Sequence, residues 1–160
     1  MSELLEKLST YNLFNYLLPG IVFGVLAEQL TKYSFVHDEI IIAVFVSYFM
    51  GLVVSRFGSV IIEPILKKIK FIQFADYKDY VKAAEKDEDL KTLSEVNNSY
   101  RTYCAVFFML ILLKIFEYTS AHFACLNDLA PFLLITFVLA MFLFAYRKQT
   151  KYIYKRITKT

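Results

Sequence analysis

Four long apolar runs organise the chain. They cover about residues 13–30, 40–62, 102–118 and 129–146, the second being apolar without interruption from Ile40 to Val54. None alternates with period two, and each is too long for a buried strand, so each predicts a helix. About 20 mainly apolar residues cross the hydrocarbon core of a bilayer. The pattern predicts an all-α fold, an integral membrane four-helix bundle in a single transmembrane domain over residues 1–160.

The polar residues sharpen that outline. The only sizeable polar segment, about 64–101, lies between the second and third runs. Asp76 is an acceptable N-cap for a short helix with Tyr77, Tyr80, Val81 and Ala84 on one face. Leu90, Leu93, Val96 and Tyr100 then continue at helical spacing into the third run, predicting one helix from about Asp89 to Tyr118. The second run likewise continues through Arg56 and Glu63 to the basic Lys67, Lys68 and Lys70. Two spans are therefore expected to extend into the cytosol, with a short cytosolic helical segment between them. Within the membrane, Pro19-Gly20 predicts a kink in the first span. Gly51, Ser55 and Ser59 recur at i, i+4 and i+8, predicting one small-residue face for close helix approach. Leu4, Leu5 and Leu8 share a face of a lead-in that reads as an interfacial anchor. The second connecting loop is expected over Glu117 to Pro131.

Composition agrees with the pattern. Hydrophobic residues make up 58% of the chain, against about 45–50% in soluble domains. The net charge is only +3, but its placement is informative. Arg56, Lys67, Lys68, Lys70 and Arg101 flank the central segment. The tail 147–160 holds Arg147, Lys148, Lys151, Lys155, Arg156 and Lys159 with no acid, whereas the two short loops hold only Lys32. The positive-inside rule then places both termini and the central segment in the cytoplasm. Glu3 and Glu6 precede the first run, which therefore does not read as a signal peptide. Tyr152, Ile153, Tyr154 and Ile157 interleave with the tail's charges, so the tail could lie on anionic lipid. Topology already accounts for its charge, which argues against direct nucleic-acid binding.

No arrangement for catalysis stands out. There is no HExxH, P-loop, dinucleotide fingerprint or Ser/His/Asp set. His37 and His122 both fall in the extracytoplasmic loops. Cys104 and Cys125 lie in a span and in the opposite loop, too far apart to pair. Without a Cys/His cluster a zinc site is not expected either. The expectation is a protein that is not an enzyme, with no catalytic, cofactor-binding or metal-binding residues. Two sets of polar residues remain. Arg56, Glu63, Asn97, Asn98, Tyr100 and Arg101 enter or leave the membrane at matching depth, as a packing or docking cluster for a partner. Asn15, Glu28, Lys114 and Glu117 are candidate intramembrane polar residues. For these, Glu28 snorkelling to the interface and Lys114 pairing with Glu117 at i,i+3 compete with a cavity-lining role.

The stretches SRFGSVIIEP, FADYKDYVKAAEKD and LSEVNNSYRTYCAVF resemble a recurring type of small bacterial four-span protein. The opening NLFNYLLPG is similar to that of small membrane proteins of anti-phage defence loci, such as the membrane subunit of the Kiwa system or membrane accessories of CRISPR systems. This resemblance covers Asn12 to Phe107. It implies an oligomeric inner-membrane sensor or effector that works with a soluble cytosolic protein partner, and it assigns no site residue. The alternative is a pore- or channel-forming protein that alters membrane permeability.

Overall fold

A computed structural model of the chain describes residues 12–123 and 125–158. The lead-in with Leu4, Leu5 and Leu8, and Lys159 of the tail, lie outside the described residues. Among these residues five helices follow one another: α1 (Leu13–Leu30), α2 (Ile40–Lys68), α3 (Tyr77–Ala84), α4 (Asp89–His122) and α5 (Cys125–Ile157). No strand occurs among the described residues. Four of the helices are long and apolar enough to cross a membrane, and the chain is a multi-pass membrane protein with an all-α bundle.

The helices run alternately up and down. Ser99 near the start of α4 meets Asn15 near the start of α1, and Arg101 meets Glu63 near the end of α2. At the other end, Lys114 of α4 meets the last carbonyl of α1, that of Leu30. The bundle therefore has a head end, which carries the α2–α4 connection, and a loop end, which carries the two short connections. Between them lies a core of Phe23 and Ala27, Val54 and Phe57, Ala105, Val106 and Leu110, and Met141. Phe57 joins three helices, with its ring 5.9 Å from that of Phe108 and 6.0 Å from that of Phe137. Burial is unequal. In the apolar stretch of α1, 39% of the residues are buried, and in that of α5 only 6%. α1, α2 and α4 supply most of the core, and α5 lies along its outside and adds Met141.

Pro19 and Pro64 leave their mark differently from the expected kink. Each is preceded by a five-residue π-helical stretch, Leu13–Leu17 in α1 and Gly58–Ile62 in α2, and both helices continue beyond it. A proline ring clashes with the carbonyl four residues earlier and has no N–H to bond. Widening the preceding turn to i→i+5 bonding lets the helix pass through without breaking. Leu18 N–H accordingly bonds to Leu13 O, and Glu63 N–H to Gly58 O.

Small residues bring α1 and α2 together. A Cβ on Gly20 would overlap the Ser47 carbonyl, and one on Gly51 would overlap the Tyr16 carbonyl. Only glycine at both positions permits this approach of two backbones. The expected single face of Gly51, Ser55 and Ser59 is not formed. Gly51 meets α1, Ser55 meets Thr102 of α4, and Ser59 meets Lys148 of α5. Each four-residue step turns the position by about 40°, and the π stretch that starts at Gly58 changes the register again. The three small residues thus serve three neighbours.

The expected long helix through the third run is present and extends to His122. The loop expected over Glu117 to Pro131 is much shorter, because α4 continues to His122 and Cys125 already opens α5. Beyond the apolar stretches the helices project at the head end. The half-buried positions of α3 are Tyr77, Tyr80, Val81 and Ala84, its expected apolar face. The Tyr77 ring lies 6.5 Å from that of Tyr152 on α5, tying the α3 segment to the projecting end of that helix.

Candidate functional site

Glu63 is the centre of the head end. It follows the π stretch of α2 and is 5% exposed, so its carboxylate must find partners. Three cations supply them. Lys67, one turn along α2, donates to Oε1 at 2.9 Å, and Arg101 of α4 donates to Oε2 at 2.9 Å. Lys148 of α5 donates to Oε1 at 3.3 Å. One carboxylate therefore joins three helices.

Lys148 has a second task. Its Nζ donates to the Ser59 carbonyl at 2.8 Å and to Ser59 Oγ at 2.8 Å. The reason lies in the local sequence. In an α-helix Ser59 O would accept from the N–H of Glu63, but that N–H bonds to Gly58 O. In π register Ser59 O would accept from residue 64, which is proline and has no N–H. The Ser59 carbonyl is left without a helical donor by both arrangements, and the lysine of another helix takes the place. A buried carbonyl without a partner costs about 1–3 kcal/mol, so this contact fastens α5 to α2 at a defined height.

Of the expected docking cluster, the structure brings Glu63 and Arg101 together and separates the rest. Arg56 points away, with Nη2 donating to the Tyr16 hydroxyl at 3.2 Å. The seven residues from Arg56 to Glu63 include the π stretch, whose extra residue turns Arg56 toward α1 and Glu63 toward α4 and α5. Asn98 contributes its backbone carbonyl, which accepts from Thr102 Oγ1 at 2.9 Å. Asn97 and Tyr100 face outward and are exposed. Sequence reading missed Lys148 and Ser59. The available signal was a proline five residues after a serine at a helix exit, together with the first lysine after the fourth span.

The four candidate intramembrane residues sit at the two ends. Asn15 is buried at the head end, where Ser99 Oγ donates to its Oδ1 at 3.2 Å. Glu28 is exposed at the loop end and accepts from Ser34 Oγ at 2.9 Å. Lys114 pairs with Glu117 at 2.8 Å and donates to Leu30 O at 2.8 Å, while Lys32 N–H donates to Glu117 Oε1 at 3.1 Å. The pair thus closes the C-terminal end of α1 and the start of the following loop. From Arg101 to Glu117 the axis of α4 advances about 24 Å, comparable to a hydrocarbon core of about 30 Å.

Chemically, the head-end group holds three positive charges against one negative. Among the described residues no three His, Cys, Asp or Glu side chains are placed to hold a metal ion. No model of a known protein family matches the chain, and no curated protein or solved structure is significantly similar to it.

Proposed function

We propose that the chain is an oligomeric component of the bacterial inner membrane that serves an anti-phage defence system as sensor or effector. It docks a cytosolic protein partner on its head end. The basic residues concentrated there support a cytoplasmic head, following the positive-inside rule. The defence context is what the resemblance of the SRFGSVIIEP and LSEVNNSYRTYCAVF stretches implies.

One observation supports docking above all. Leu93, Val96 and Tyr100 form an exposed apolar stripe on the projecting part of α4. That part also carries Asp89, Lys91, Glu95 and Arg101, so it does not lie in the hydrocarbon. An apolar stripe with a polar rim, left open by the described residues of the bundle, is the usual form of a protein interaction site. Asn97 is part of its exposed polar edge. The buried Glu63 and half-buried Arg101 hold the helices that present it.

The pore reading has less support, because Asn15, Glu28, Lys114 and Glu117 are engaged at the two ends of the bundle and form no polar path through its apolar middle. Dye release from liposomes carrying the protein alone would reinstate it. The docking reading is tested in cells that carry the gene with its operon neighbours and are challenged with phage. The L93E/Y100E variant should insert normally, lose the co-purifying partner and lose protection. Protection retained by that variant would overturn docking, and no protection by the intact locus would overturn the defence role.

A further inference from the structure

Directly on the membrane side of the Glu63 cluster, α2 and α5 do not close against each other. They leave an open groove of about 280 Å³, lined by Val60, Ile61, Phe137, Ala140, Met141 and Phe144. The lining is entirely apolar. The groove and the cations adjoin along both helices. Ala140 and Phe144 line the groove, and Lys148 follows one turn beyond Phe144 on α5. On α2, Val60 follows Ser59, whose carbonyl holds the Lys148 ammonium.

The cations at the mouth are not used up by Glu63. The cluster carries three positive charges against one, an excess of two. Lys148 spends its three donors on Ser59 and Glu63. Lys67 gives one donor to Glu63, and its side chain is 40% exposed. Arg101 gives Nη1 to Glu63, while its buried Nε has no partner. Lys67 and Lys148 share the same carboxylate oxygen, so the two ammonium groups stand side by side. Phe74 lies against Lys67, with the ammonium 3.9 Å from the ring centroid.

We propose that this groove and its cationic mouth form a binding site for one anionic phospholipid. An acyl chain lies between α2 and α5, and the headgroup phosphate sits beside Lys67 and Lys148. The two halves match an amphiphile and no simpler ligand: a free phosphate would leave the groove empty, and an uncharged acyl chain would leave the charge excess uncompensated. Basic pockets between spanning helices at the cytoplasmic leaflet recognise lipid headgroups in this way. The site rests on the spanning helices alone and is independent of the defence reading. It also explains why α5, so little buried against the bundle, stands off from α2 below Lys148. The lipid would complete the packing there.

The test is native mass spectrometry of the full chain released from nanodiscs that contain equal dioleoyl phosphatidylglycerol and dioleoyl phosphatidylcholine. One phosphatidylglycerol should remain bound, preferred over phosphatidylcholine by roughly thirtyfold, as two excess charges warrant. Addition of inorganic phosphate or glycerol 3-phosphate should not displace it. K67Q changes an exposed end of a side chain and should weaken retention of the anionic lipid about fivefold, leaving phosphatidylcholine unaffected. A140F should fill the groove and reduce retention of both lipids. Circular dichroism melting of each variant confirms folding, and the wild-type lipid preference needs no variant at all. Equal retention of the two lipids, or retention unchanged in K67Q, would overturn the proposal. So would displacement by inorganic phosphate, which would mark an ion site only. A lipid-free dimer that A140F converts to monomer would also overturn it, the groove then being an interface between copies.

Discussion

At the loop end, Lys114 and Glu117 pair at 2.8 Å within one turn of one helix. At the head end, Glu63 is shared at 2.9–3.3 Å by cations from three helices. The chemistry is the same, but the surroundings differ. The Lys114 side chain is 61% exposed, and water would solvate it without the pair. Glu63 is buried, and each partner it loses leaves charge in a place water reaches poorly. Exposed ion pairs contribute little to stability, whereas breaking a buried one is costly. The lesson is that the head end fixes the relative height of α2, α4 and α5, while the loop end closes off a helix terminus.

This difference can be broken experimentally. The largest effect is expected from E63Q, which removes the carboxylate charge shared by three cations. It should destabilise the protein by about 3 kcal/mol in SDS-titration unfolding from mixed micelles. K148M should cost about 2 kcal/mol, since it strips the buried Ser59 carbonyl of its donor. The third effect is a rescue. P64A restores a backbone N–H at residue 64, and in the K148M background it should recover about 1 kcal/mol, read as the coupling term of a double-mutant cycle. Failure of P64A to rescue would show that Lys148 acts on Glu63 alone. At the loop end, K114M should shift the unfolding midpoint much less than K148M, because the Lys114 side chain is mostly exposed. A shift as large as that of K148M would erase the distinction between the ends.

Much of this arrangement was legible in the sequence. The four runs gave the spanning helices because apolar periodicity and length are local properties. The α3 face at Tyr77, Tyr80, Val81 and Ala84 was legible for the same reason. The Lys114–Glu117 pair was legible because i,i+3 spacing on one helix needs no tertiary information. The Glu63–Arg101 contact followed from matching depth. The rest depended on helix rotation. Two π stretches, each ending two residues before a proline, turned Arg56 toward Tyr16 and spread Gly51, Ser55 and Ser59 over three neighbours. An ideal 3.6-residue period cannot register such a shift. Lys148 was hidden for a related reason: its partner is a backbone carbonyl, and only the detailed bonding of the π stretch shows that this carbonyl lacks a donor.

The central claim is that Glu63 holds α5 to α2 at the head end. The most direct measurement places spin labels at Ile69→Cys and Tyr154→Cys, two exposed sites on or beside those helices. Cys104 and Cys125, both exposed, are first replaced by serine. Pulsed electron–electron resonance in nanodiscs should give one narrow distance distribution in this background. It should broaden strongly on adding E63Q and stay narrow on adding E117Q. A distribution that remains narrow with E63Q, or one that broadens equally with E117Q, would contradict the account.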